Sequence, residues 1–164
     1  MLLTRNNITY IGFHTQGEAA LVSRECLPVA VAKYCQRVGT ETKEVHFTEA
    51  GKPYFPGFHG HFLSVTHTGS FLLFAFAPFP IGVDAEREGE VRPRIATRYF
   101  TPFEQTLPFA QVWTGREAVS KLTGVGLSHA LKAYLTPAGA TLDGAEYHLD
   151  SFLLEGFRIT CAFS

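Results

Sequence analysis

One order of events occurs twice along this chain: an apolar strand pattern, a helical stretch, then an apolar and aromatic hairpin. In the first block, residues 8–13 (ITYIGF) read as a strand. Residues 17–38 read as a helix, broken at Pro28 and stopped by Gly39. Residues 45–47 make a short strand leading into the turn Gly51-Lys52-Pro53. Residues 62–65 and 71–77 then form a hairpin around the polar loop Thr66-His67-Thr68-Gly69-Ser70. In the second block, residues 81–86 read as a strand, followed by a basic stretch and a helical pattern from about residue 102 to Thr123, ended by Gly124 and Gly126. Residues 147–154 and 157–163 close it as a hairpin around Glu155-Gly156. The blocks match in pattern with little letter-by-letter identity. The implied fold is α+β: two similar, pseudo-repeated halves, each a helix packed on a small, mostly antiparallel sheet, divided as residues 1–77 and 78–164.

Composition narrows the function classes. At 46% hydrophobic, the 164 residues carry enough apolar surface for a core without disulfide or metal staples. A net charge of −1 argues against a protein that coats nucleic acid, so any phosphate recognition must be local. The longest apolar run, residues 71–81, is too short for a membrane span and contains Pro78 and Pro80. Residues 1–3 are apolar but turn polar by residues 4–7, which is not a signal-peptide pattern. Three cysteines, Cys26, Cys35 and Cys161, fit neither a disulfide framework nor a zinc knuckle; free thiols and a cytoplasmic setting are expected.

Chemistry concentrates in Gly82-Val83-Asp84-Ala85-Glu86. Residues two apart on a strand share a face, so Asp84 and Glu86 project together and repel unless a cation intervenes. Mg²⁺ suits such oxygen donors and often shares its shell with substrate phosphates; a solvated strand end paired with Arg87 is the plainer alternative. In Trp113-Thr114-Gly115-Arg116-Glu117-Ala118-Val119-Ser120-Lys121, helical spacing puts Trp113, Glu117 and Lys121 on one face. The chain's single tryptophan anchors that face inward, making Glu117 a third carboxylate with Arg116 and Lys121 placed for phosphate oxygens. His59 and His61 read as structural or exposed residues.

Four pieces in this order resemble the 4′-phosphopantetheinyl transferases: GKP at Gly51–Pro53, SVTHTG at Ser64–Gly69, GVDAE at Gly82–Glu86 and WTGREAVSK at Trp113–Lys121. Arg116 stands where the family generally has Lys, and Thr66 and Thr68 replace commoner serines. The chain resembles a shortened form of the tandem-repeat type that activates surfactin synthetase. The resemblance implies transfer of 4′-phosphopantetheine from coenzyme A to a serine of an acyl or peptidyl carrier protein, releasing adenosine 3′,5′-bisphosphate. Fatty-acid, polyketide and nonribosomal-peptide carriers all offer that serine. It further implies Mg²⁺, or Mn²⁺, on Asp84, Glu86 and Glu117, with Glu117 and Lys121 catalytic. Lys52, Pro53, Thr66, His67, Arg116 and Lys121 would hold coenzyme A in a cleft between the halves of a monomer. An acidic carrier would meet Arg87, Arg94, Arg98 and Phe103. Two rivals remain: a coenzyme A- or carrier-binding module without turnover, and a hydrolase of the coenzyme A pyrophosphate.

Overall fold

The computed structural model describes residues 1–126 and 130–164. It divides into two units, Met1–Pro80 and Ile81–Ser164. Among the described residues, no helix is long and apolar enough to cross a membrane, and Cys26, Cys35 and Cys161 are free thiols.

The first unit runs β1 (Leu2–Arg5), β2 (Ile8–His14), α1 (Ala19–Val38), β3 (His46–Phe47), β4 (Pro53–Tyr54), β5 (Phe62–Thr68) and β6 (Phe71–Ala77). Its main sheet is antiparallel, in the order β1-β2-β6-β5. The β1–β2 turn is Asn6-Asn7, both at positive φ (47° and 62°), a geometry whose twist suits a two-residue hairpin. On one sheet face Ile11, Leu63, Leu72, Phe74 and Phe76 pack with Leu27, Ala30, Val31 and Tyr34 of α1. Each large side chain buried there contributes about 1.5–3 kcal/mol.

Two expectations change in this unit. The helix does not break at Pro28: α1 runs unbroken to Val38 and is capped by Gly39 at φ 76°. Pro28 removes one N–H and so frees the carbonyl of Arg24. Both residues are exposed, so water can satisfy that oxygen. The hairpin loop is also shorter than expected. β5 continues through Thr68, leaving Gly69-Ser70 as the turn, with Thr66 paired to Leu73 and His67 to Leu72.

The second unit runs β7 (Ile81–Arg87), α2 (Pro93–Tyr99), a 3₁₀ turn (Glu104–Thr106), α3 (Phe109–Thr123), β8 (Tyr134–Thr136), β9 (Gly139–Leu142), β10 (Ala145–Leu154) and β11 (Phe157–Phe163). Its antiparallel sheet has the order β7-β11-β10-β9-β8. Glu155 and Gly156, at φ 52° and 81°, turn β10 into β11 as expected. The helical pattern from about residue 102 is two pieces instead of one, the 3₁₀ turn and α3. Leu107 and Pro108 are extended (ψ 157° and 137°), because a residue before proline is driven out of the helical region. α3 therefore starts at Phe109. Its Ala118 and Val119 pack with Ala133, Ala140, Leu142 and Ala162, and its Phe109 and Val112 with Phe100 and Leu135.

The order of pairing is alike in the two units. The long strand before the helix (β2 or β7) pairs with the last strand (β6 or β11), which pairs with the one before it (β5 or β10).

Candidate active site

Gly82 is what brings helix and strand together. A Cβ at this position would lie 2.1 Å from the Ala118 carbonyl oxygen and 2.3 Å from the Leu122 nitrogen. The α3 backbone thus presses on β7 at a spot only glycine can occupy. Side chains alternate along a strand, so Asp84 and Glu86 share that α3 side. Lys121, one helical turn beyond Glu117, donates from Nζ to Asp84 Oδ1 at 2.8 Å. Asp84 and Glu86 are each 8% exposed. The next strand continues the polar strip: Thr160, cross-strand from Asp84, shares a 2.7 Å hydroxyl contact with Thr114 of α3.

Electrostatics tie the three carboxylates together. Burial, then the charge of Asp84, push the Glu117 carboxyl up to about 7; Lys121 opposes the rise and Glu86 adds to it. Glu86 is raised too, first by burial and then by Glu90, against the pull of Arg92. Arg92 lies 3.4 Å from Glu86 Oε2 and 2.7 Å from Glu90 Oε1, and holds Glu90 below its ordinary value. Trp113 is half-buried and stacks on Phe109 (centroids 5.9 Å apart), anchoring the face of α3 that carries Glu117 and Lys121.

The donor set fits Mg²⁺ by its chemistry. All three side chains offer hard oxygen, and beyond the effect of burial the charges of Asp84 and Glu86 act on Glu117, charge that a divalent cation would offset. Among the described residues, no three acidic, histidine or cysteine side chains converge into a ready cage. Mg²⁺ needs none, since it commonly takes one or two carboxylates together with waters and substrate phosphates.

Arg116 requires a correction. The expected phosphate contact is not where the side chain lies: it is 2% exposed, and its donors are committed elsewhere. Nε donates to Glu104 Oε1 (2.9 Å) and Nη2 to Glu104 Oε2 (2.6 Å), while Nη1 and Nη2 also reach the carbonyls of Leu131 (3.0 Å) and Tyr99 (2.8 Å). Glu104, fully buried, accepts further bonds from the Leu135 and Thr101 N–H groups. Burial raises its proton affinity, but Arg116 and these two amides outweigh that and hold it below its ordinary value. One helical position is a 100° rotation, enough to turn Arg116 into the core while Glu117 faces Asp84.

The remaining expected residues lie as follows. In the first unit, Lys52 sits in the turn set by Gly51 (φ 78°), where burial lowers its proton affinity, and Pro53 is buried in β4. Thr66 is 2% exposed and His67 exposed. As adjacent residues of β5 they point to opposite sheet faces, so they do not form the loop pair expected. His59 is exposed, while His61 Nδ1 lies 2.6 Å from Tyr34 Oη and its ring stacks on Phe58. In the second unit, Arg87, Arg94, Arg98 and Phe103 are exposed, with Arg87 over the Phe157 ring and Arg98 over Tyr99. Arg92 was read from the sequence only as one of the basic residues after the GVDAE strand, and Glu104 was not singled out. A usable signal was present for Glu104, an acid in the otherwise apolar and polar-neutral stretch from residue 99 to 115.

Residues 80–142 match the sequence model of the family described as the 4′-phosphopantetheinyl transferase superfamily. Three curated relatives carry that activity in their names. A 4′-phosphopantetheinyl transferase of Bacillus subtilis is 32% identical over 97 residues, covering 52% of this chain and 43% of the relative. The 4′-phosphopantetheinyl transferase Sfp of Bacillus subtilis (strain 168) is 31% identical over 97 residues with the same coverage. The 4′-phosphopantetheinyl transferase psf-1 of Bacillus pumilus is 31% identical over 98 residues, covering 51% of this chain and 41% of the relative. The chain thus spans less than half the length of the curated relatives it matches. The matched segment holds two of the four motifs, GVDAE and WTGREAVSK, and the chain is similar to transferases of the Sfp type.

Proposed function

With residues 80–142 matching the 4′-phosphopantetheinyl transferase superfamily, we propose that this chain transfers 4′-phosphopantetheine from coenzyme A to a serine hydroxyl of a carrier protein. The observation that carries the reading is the grouping of Asp84, Glu86, Glu117 and Lys121 between β7 and α3, inside the matched segment.

In the proposed reaction, the serine oxygen forms a bond to the pantetheine-bearing phosphorus and the pyrophosphate P–O bond breaks. Adenosine 3′,5′-bisphosphate departs. Glu117, on the α3 face that meets Asp84, is the proposed acceptor of the serine proton, directly or through a bound water. Lys121 neutralises charge on the departing phosphate. Asp84, Glu86 and Glu117 are the residues that would hold Mg²⁺, which when bound offsets charge on the pyrophosphate oxygens. Lys52, Pro53 and His67 are proposed contacts for the nucleotide end of coenzyme A. Of these His67 is the exposed imidazole that a phosphate could reach from solvent. Arg87, Arg94, Arg98 and Phe103 form the proposed approach for an acidic carrier.

The test is intact-mass spectrometry of purified apo carrier proteins incubated with the chain, coenzyme A and Mg²⁺. Gain of one phosphopantetheine, abolished by EDTA, supports transfer. Free phosphopantetheine with an unmodified carrier indicates the hydrolase, and coenzyme A binding with no product indicates a binding module.

A further inference from the structure

The arginine that meets the carboxylate cluster is Arg92, in the loop that follows β7 and immediately before α2. Its guanidinium is held from three sides. Nε and Nη2 donate to Glu90 Oε1 at 2.9 and 2.7 Å. The guanidinium carbon lies 5.7 Å from the centre of the Trp113 ring and 6.0 Å from that of Phe109. Nη2 also reaches Glu86 Oε2, at 3.4 Å. The lengths rank these contacts: two short bonds to one oxygen make Glu90 the anchor, and the aromatic faces add cation–π attraction. The Glu86 contact is the longest and weakest of the polar set.

A fixed cation leaning on a carboxylate opposes any second cation that needs the same oxygen. Here the contact can be given up while the guanidinium keeps Glu90 and Trp113. We propose that Arg92 is a built-in counter-cation for Glu86, which satisfies this carboxylate when no divalent cation is bound and competes with that cation for it. The inference rests on the reading that Asp84, Glu86 and Glu117 hold a divalent cation. It assigns to Arg92 the setting of how tightly they do so.

The experiment is calorimetric titration of the full chain with Mn²⁺, without coenzyme A, at low ionic strength. The parent chain is expected to bind one ion, and Asp84→Ala to abolish the binding. Arg92→Gln should bind about three- to fivefold more tightly, as expected for removal of a half-exposed ion-pair competitor. The advantage should shrink as salt is added. Lys132→Gln, losing the same charge from an exposed position in the same unit, should leave the affinity unchanged. Glu90→Gln removes the anchor, lets Arg92 close on Glu86 and should weaken binding. Thermal melting of each variant verifies that it is folded. Equal or weaker Mn²⁺ binding by folded Arg92→Gln, or tighter binding by Glu90→Gln, overturns the inference and leaves the metal reading intact. Absence of Mn²⁺ binding by the parent chain overturns both.

Discussion

β2 and β7 occupy like places in their units, each under a helix and beside the closing strand, yet they use their glycines in opposite ways. Gly12 faces away from α1: a Cβ there would meet side chains only, Met1 Cε at 2.7 Å and Leu73 and Phe71 at 3.4 Å. The α1 side of β2 carries Ile11 and Phe13 and is apolar. Gly82 faces α3, and what it would strike is helix backbone. Close helix approach leaves no room for large apolar side chains between the layers there. The α3 side of β7 instead carries Asp84 and Glu86, with Lys121 and Glu117 reaching in from the helix. One arrangement thus serves as a packed core in the first unit and as a charged site in the second.

The sharpest way to break this comparison is to loosen α3. Arg116 and Glu104 hold it with a buried bidentate pair, and removing one partner strands a buried charge. Glu104→Ala or Arg116→Ala should each cost about 3–5 kcal/mol in urea denaturation. Gly82→Ala should follow, at about 3 kcal/mol, because the helix backbone must retreat. Gly12→Ala should cost less than about 1 kcal/mol, since the flexible end of Met1 can move aside. Equal losses at the two glycines would contradict the difference drawn between β2 and β7.

Acid titration sharpens the same point. Glu104 has its folded proton affinity below its ordinary value of 4.5, so the unfolded chain binds more protons below that pH. Stability from this pair should be fully present above about pH 4.5 and lost as pH falls through the lower folded value. Denaturation midpoints measured from pH 6 downward should show this loss in the parent chain and less of it in Glu104→Gln. A further small effect belongs to the first unit. Tyr34→Phe removes the contact with His61 Nδ1 and should cost about 1 kcal/mol by thermal melting.

Much of the scaffold was legible because its signals are local. The runs behind β2, β6 and β11 are apolar or aromatic, and Gly39, Gly124 and the Glu155-Gly156 turn mark ends that backbone sterics impose. β1 escaped notice because LLTR is a short edge strand with little apolar pattern, held by pairing to β2 and not by its own propensity. β8 and β9, at three and four residues, are similarly weak on their own. The site was legible where spacing decides geometry. Asp84 and Glu86 two apart, and Glu117 and Lys121 four apart, could be placed on shared faces in advance. Arg116 could not, since its partner Glu104 lies twelve residues away in a separate element and no periodicity links the two. Thr66 and His67 were misjudged for a related reason: a strand end and a loop start look alike in sequence, but only in a strand do neighbours face opposite ways.

In the proposed reaction the β7–α3 carboxylates do the chemistry, with Glu117 as the group that takes the serine proton. The most direct measurement is the rate of phosphopantetheine transfer to an apo carrier by the parent chain and by Glu117→Gln, at saturating coenzyme A and Mg²⁺. The account predicts transfer by the parent chain and a fall of about 10²–10⁴-fold in the variant. A folded Glu117→Gln protein that transfers at the parent rate, or a parent chain that modifies no carrier, would contradict it.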